Sequence, residues 1–213
     1  NQFTFVFMLL VFGAVSAAGI FTAQYHGKGD VESVRHTFRA KFIINTMVGI
    51  LGVVVFLIFQ DQFINMFLHE SDSTGDLALT MQSGKDYLKW ILIGLIPFAI
   101  SQVYASTLPE TGETVVPMVA SGGAIATNFV FNALLIFGLF FFPELGVAGA
   151  AIATTISRFV ELGILVIYTH THSEKCTFIK GAFKSLYIPK ELIANIAVKG
   201  LPIMANEFFW SLS

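Results

Sequence analysis

Charge is what this chain has least of. Charged side chains make up only 12% of its 213 residues, against 55% hydrophobic, too few to solvate the surface of a water-soluble domain of this size. Basic residues are not in excess either. The net charge is −2, and without a basic stripe to neutralise phosphates there is no case for nucleic-acid binding. The single cysteine, Cys176, rules out an internal disulfide and any cysteine-built metal centre. It stands in a polar stretch and reads as an incidental thiol. His26, His36, His69, His170 and His172 all fall at or beyond the ends of the apolar stretches. The paired His and Glu that an intramembrane metalloenzyme needs on neighbouring helices are therefore missing, and no enzyme is expected.

What the chain does have is long uncharged runs. Gln2–Tyr25, Phe42–Phe59 and Val115–Phe142 hold no charged residue, and Leu145–Ser157 opens another such run. A bilayer core needs roughly 20 apolar residues in helical form to cross it. The runs lack the alternation of barrel strands and are far longer, so helices are expected. The hydrophobic segments read as Gln2–Gln24, Lys41–Phe59, Tyr87–Leu108, Val115–Phe140, Leu145–Tyr168 and Leu192–Ser213. The first has no basic region before it and no cleavage signature after it, so it reads as a span rather than a signal peptide. Because the chain opens at Asn1 and stops inside an apolar segment, it is expected to be an internal piece of a longer protein. Gln62–His69 reads as a short amphipathic helix on the outer surface, with Phe63, Met66 and Phe67 toward lipid. Pro97 and Pro117 are expected to bend their helices. The small residues around Gly13–Gly19, Ala120–Ala126 and Gly146–Ala153 suit close helix packing in lipid.

Bases concentrate in alternate connections, which orients the chain. Lys28, Arg35, Arg39 and Lys41 lie in the first, and Lys175, Lys180, Lys184 and Lys190 in the fifth. The long second connection is mainly acidic, with Asp61, Glu70, Asp72, Asp76 and Asp86 beside Lys85 and Lys89. The loops around Gly27, Gly112 and Lys180 are thus expected to be cytoplasmic.

Polar residues inside membrane segments are the candidates for function. Asn128 and Asn132, spaced i, i+4, share one helix face, and Thr154 follows in the next segment. Two amide carbonyls and a hydroxyl supply the oxygens that a hard cation such as Na⁺ requires. Neither Asn can carry a proton. The other reading of these residues is an interhelical hydrogen-bond clamp. Arg158 and Glu161, spaced i, i+3, are expected to form an ion pair on their helix. Glu207, in the last segment, could attract a cationic molecule or exchange a proton with it. The 23 phenylalanines could offer cation–π contacts to planar cations, although most are expected to face lipid.

Three stretches carry a resemblance. Gln24-Tyr-His-Gly-Lys-Gly-Asp30 closes the first segment, and Glu110-Thr-Gly-Glu-Thr-Val-Val-Pro117 precedes Asn128 and Asn132. Leu145-Gly-Val-Ala-Gly-Ala-Ala-Ile-Ala-Thr154 opens the fifth segment. In this order and spacing the chain resembles the multidrug and toxic compound extrusion (MATE) transporters. The resemblance implies an all-α polytopic membrane helix bundle, forming most of one six-helix lobe of a twelve-helix transporter. Residues 1–191 would be the first lobe lacking its first helix, and 192–213 the start of the second lobe. The implied activity is antiport of organic cations or drugs against Na⁺ or H⁺ across the plasma (inner) membrane. The coupling-ion residues would be Asn128, Asn132 and Thr154, completed by an Asp on the absent first helix. Many relatives place a Glu near Glu207, facing a cavity of the second lobe. At Pro109, where many carry Arg, this chain departs. No cofactor is implied beyond the coupling ion. The implied partners are the bilayer, the organic cation and the remainder of the same protein. A lipid or glycolipid flippase of the same superfamily is the alternative, disfavoured because the membrane segments hold few bases beyond Lys41 and Arg158.

Overall fold

A backbone in lipid has no water to bond, so each uncharged run closes its hydrogen bonds within itself as a helix. Even Val53–Ile58, a run rich in β-branched residues that would suit a strand in water, is helical throughout. The computed structural model describes residues 2–62, 77–138 and 144–212, with side chains over 7–62, 84–138, 144–200 and 202. The helices are α1 (Gln2–Gly27), α2 (Val31–Ile58), α3 (Leu77–Glu110), α4 (Val115–Ile136), α5 (Gly146–Thr171) and α6 (Lys190–Leu212), with a 3₁₀ turn at Thr177–Ile179 before the last. Among the described residues there is no strand. Phe7–Gly27, Val31–Ile58, Gly84–Glu110, Val115–Ile136 and Gly146–Thr171 are long and apolar enough to cross a bilayer. The chain is an all-α, multi-pass membrane bundle. The amphipathic helix expected over Gln62–His69 lies, from residue 63 onward, outside the described residues.

The helices outrun the apolar segments. α2 begins at Val31 rather than near Lys41, because Asp30 caps it there. Its carboxylate accepts the Ser33 amide at 3.0 Å and the Ser33 hydroxyl at 2.6 Å, satisfying a donor that the helix start leaves open. The turn into that cap passes through Gly29 at φ 73°, a left-handed conformation that favours glycine; Gly27 is simply the last residue of α1. Gly112, at φ 95°, does the same for the α3–α4 turn, where the Glu113 amide returns to the Leu108 carbonyl at 2.8 Å. Helix α3 runs on through Pro97 and Pro109. Pro117 stands in the first turn of α4, where a missing N–H removes no intrahelical bond.

Helix α1 packs on α2, α3 and α6; α3 also packs on α5, and α4 pairs chiefly with α5. The small residues of the first and third clusters pack as expected, whereas Gly122 and Ala126 of the second are exposed. Ala14, Ala17 and Ala18 are buried on α1, and a Cβ on Gly149 would fall 2.6 Å from the Leu135 carbonyl oxygen. At the end of the bundle where α1, α3 and α5 finish, Phe38 of α2, Tyr104 and Leu108 of α3 and Leu165 of α5 form the main core. The segment after α5 contributes to that core as well. Cys176, Phe178, Ile179 and Ala182 are buried in it, so Cys176 is not the loop thiol that its polar neighbours suggest.

Candidate functional site

Helices α4 and α5 run antiparallel, and their polar residues meet rung by rung. Ser121 donates to Glu161 Oε1 at 3.1 Å near one end of the pair. Two turns along α4, the Asn128 amide donates to Thr154 Oγ1 at 3.3 Å. The next rung lies within α4, where the i, i+4 spacing brings the Asn132 amide onto Asn128 Oδ1 at 2.9 Å. The Thr154 hydroxyl ends the ladder by donating to the Ala150 carbonyl at 2.9 Å. All three side chains are half-buried. Each amide nitrogen and hydroxyl in the ladder donates to an acceptor, and one buried acceptor is left over. Asn132 Oδ1 is shut from solvent and has no hydrogen-bond partner among the described residues. A buried carbonyl oxygen without a donor costs about 1–3 kcal/mol, and a bound cation would relieve that cost. Asn128 Oδ1 also keeps a second lone pair beside it. The three residues expected to hold a coupling ion are thus contiguous.

Arg158 and Glu161 part company. The i, i+3 spacing makes them neighbours on α5, yet no ion pair joins them among the described residues. Each finds a partner on a different helix. Glu161 accepts from Ser121 of α4, while the Arg158 guanidinium lies 5.1 Å above the Phe98 ring of α3. Gly94 makes room for it, since a Cβ there would sit 3.1 Å from Arg158 Cδ. Glu207 falls within α6, but its side chain lies outside the described residues.

A second polar centre, which the sequence does not announce, joins α1, α2 and α3. Lys41 is fully buried and its ammonium pairs with Glu110. It also donates to Ser106 Oγ at 3.2 Å and Thr107 Oγ1 at 3.4 Å. Gly19 of α1 lies against the Glu110 carboxylate, leaving no room for a Cβ. Beside it, the buried Thr22 hydroxyl meets Thr37 Oγ1 at 3.0 Å. Lys41 and Glu110 both sit at the ends of apolar runs that the charge pattern puts on one membrane face, and that was the available signal. Outside the membrane segments, burial and the nearby Glu113 charge push the Cys176 thiol above its ordinary range, so it is a poor nucleophile.

The chain thus belongs to the class of all-α membrane proteins, with α4 and α5 tied by hydrogen-bonded polar residues. The MatE family model matches residues 1–134, and the chain belongs to that family. A probable multidrug resistance protein NorM of Thermotoga maritima is 30% identical over 211 residues, covering 99% of this chain and 43% of that protein. A second NorM, from Streptococcus pneumoniae (strain ATCC BAA-255 / R6), is 31% identical over 211 residues, covering 95% of the chain and 43% of the relative. The probable multidrug resistance protein YoeA of Bacillus subtilis is 25% identical over 214 residues, with 99% and 44% covered. A solved structure described as the inward-facing conformation of a multidrug resistance MATE family transporter of the MOP superfamily shares the fold. Its TM-score is 0.79 at 19% identity, over 97% of this chain and 44% of that one. The chain therefore spans less than half the length of these relatives.

Proposed function

We propose that the whole protein is a secondary antiporter that exports organic cations or drugs in exchange for Na⁺ or H⁺. On this reading residues 1–191 are the first lobe without its first helix, and 192–213 open the second lobe. The loops around Gly27, Gly112 and Lys180 face the cytoplasm, and the protein sits in the plasma (inner) membrane. One observation carries the coupling assignment: the Asn132–Asn128–Thr154 ladder ends in a buried, unpartnered Asn132 Oδ1. An oxygen of that kind fits a hard cation and, being an amide, does not fit a proton carrier. Sodium is thus the ion these three residues favour. A carboxylate from the rest of the protein would complete the site, and Glu207 would serve substrate or protons. Alternating access follows from rocking one lobe against the other. The flippase reading weakens further, because Lys41 is already neutralised by Glu110 and Arg158 is turned onto Phe98.

The test uses the full-length protein in inverted vesicles, following ethidium under a Na⁺ gradient or a pH gradient imposed separately. Na⁺-driven movement, lost in Asn128→Ala and Asn132→Ala at unchanged protein level, is the expected result. Wild-type rates in both variants would remove the ladder from the mechanism. Movement driven only by pH would transfer coupling to carboxylates.

A further inference from the structure

The stretch between α5 and α6 has no regular structure beyond the 3₁₀ turn at Thr177–Ile179. By composition it should be a slack connector, yet it is held from two sides. Much of it packs on the bundle. Cys176 and Ala182 are wholly buried, and the Phe178 ring lies 5.2 Å from that of Phe38 on α2. Phe183 stands edge-on to Phe42 of α2 at 5.3 Å and stacks on His170 at the end of α5. Its second half is gripped by a single side chain. Arg39 of α2 donates from Nε to the Ala182 carbonyl at 2.6 Å, from Nη2 to Gly181 at 2.8 Å and from Nη1 to Tyr187 at 3.3 Å. Every guanidinium nitrogen is spent on link backbone, and Arg39 is only 8% exposed.

We propose that Arg39 is a positioning residue that makes the link through Tyr187 a rigid part of the first lobe. The pivot between the lobes then lies at Ile188 and Pro189. The chain's path places the pivot there, and a swing at it opens the seam where Leu192 and Ile196 of α6 pack on Ala17, Ala18 and Phe21 of α1 and Ala40 of α2. Tyr187 supplies the last carbonyl that Arg39 holds, α6 begins at Lys190, and only Ile188 and Pro189 separate them. Proline has a fixed φ, so the swing is confined to very few torsions. Hinges of this kind are a few element-terminal positions that absorb the change. A guanidinium is needed because its planar fork reaches several acceptors at once, which a point-charged ammonium does not. The pivot rests on the rocking mechanism proposed above; the seat does not.

The experiment uses the full-length protein in proteoliposomes, with spin labels at exposed sites introduced by Lys28→Cys, Lys184→Cys and Val198→Cys in a Cys176→Ser background, while the maleimide measurement keeps native Cys176 and omits those three. Distances are read with Na⁺, at low pH without Na⁺, and with ethidium bound. The 28–184 distance should be narrow and identical in every condition, while 184–198 shifts. In Arg39→Ala, and in Arg39→Lys, which keeps the charge, the 28–184 distribution should broaden. Maleimide labelling of Cys176, read by peptide mass, should then speed up at least tenfold. A 28–184 distribution that stays narrow in both variants would overturn the seat. One that shifts as much as 184–198 in the parent protein, or a 184–198 distance that never moves, would overturn the pivot. If ethidium fails to move under any gradient while 28–184 behaves as stated, the antiport reading fails and the seat stands.

Discussion

The Lys41–Glu110 pair offers the sharpest energetic test. Lys41 has no solvent exposure at all and Glu110 keeps 19% of its side-chain surface. Glu110→Gln keeps the shape, removes the anion and strands a buried ammonium between Ser106 and Thr107. Breaking a buried pair by removing one partner costs about 3–5 kcal/mol, because an uncompensated charge stays behind. The amide oxygen still accepts one bond from the ammonium, so the lower end, about 3 kcal/mol, is expected. Lys41→Met leaves a carboxylate that water can partly reach, and should cost less, about 2 kcal/mol. The double variant removes both charges and should recover to within about 1–2 kcal/mol of the parent. The assay is thermal unfolding of the purified full-length protein, read as midpoint and as inactivation half-life. In a protein of about twice this chain's length a kcal/mol moves the midpoint by about 1–2 °C, so Glu110→Gln should lower it by about 3–6 °C. A midpoint within about 1 °C of the parent, or a double variant as unstable as the two singles added together, would refute the reasoning.

The other predictions concern packing and caps. Gly149→Ala should part α4 from α5, since its Cβ would lie 2.6 Å from a backbone oxygen. The expected cost is about 2–3 kcal/mol. Gly163→Ala, on the same helix with nothing within 4 Å of the new Cβ, should be neutral or slightly stabilising in the same melt. Asp30→Ala should cost about 1 kcal/mol at neutral pH through loss of the α2 cap. The Ser33 hydroxyl and amide hold the Asp30 carboxyl below its ordinary value. Its contribution is therefore complete above the unfolded value of about 4 and disappears as pH falls further. The gap between parent and variant melts should narrow as pH falls from 7 to 3; a gap that stays constant over that range would exclude a contribution from the Asp30 charge.

The crossing helices were legible because lipid leaves the backbone a single local solution, and a charge-free run reports it directly. Helix starts were less legible. Apolar runs end where lipid ends, whereas α2 begins at the Asp30 cap and α3 at Leu77, both well before their uncharged stretches. Asn128 and Asn132 could be placed together because i, i+4 geometry is local. Their link to Thr154 needed only that α4 and α5 pair, as the short connection between them favours. Arg158 and Glu161 show where that logic stops. Spacing along one helix puts two side chains side by side, but it cannot reveal that Phe98 and Ser121 compete for them from neighbouring helices. The Lys41–Glu110 pair joins residues from separate segments, and no periodicity records which face of α2 meets α3. Arg39 looked like one more positive-inside charge. Its partners are backbone carbonyls, which carry no residue-type signature.

The burial of Cys176, Phe178 and Ala182 has a consequence for how the protein is made. The core that α1, α2, α3 and α5 share is completed by a segment synthesised after the last of those helices. A nascent chain ending at Thr171 has every one of these helices, yet Phe38 and Leu165 still face a gap. This bundle therefore closes only when residues 176–187 fold back and Arg39 takes hold of them. Until then, membrane insertion runs ahead of assembly.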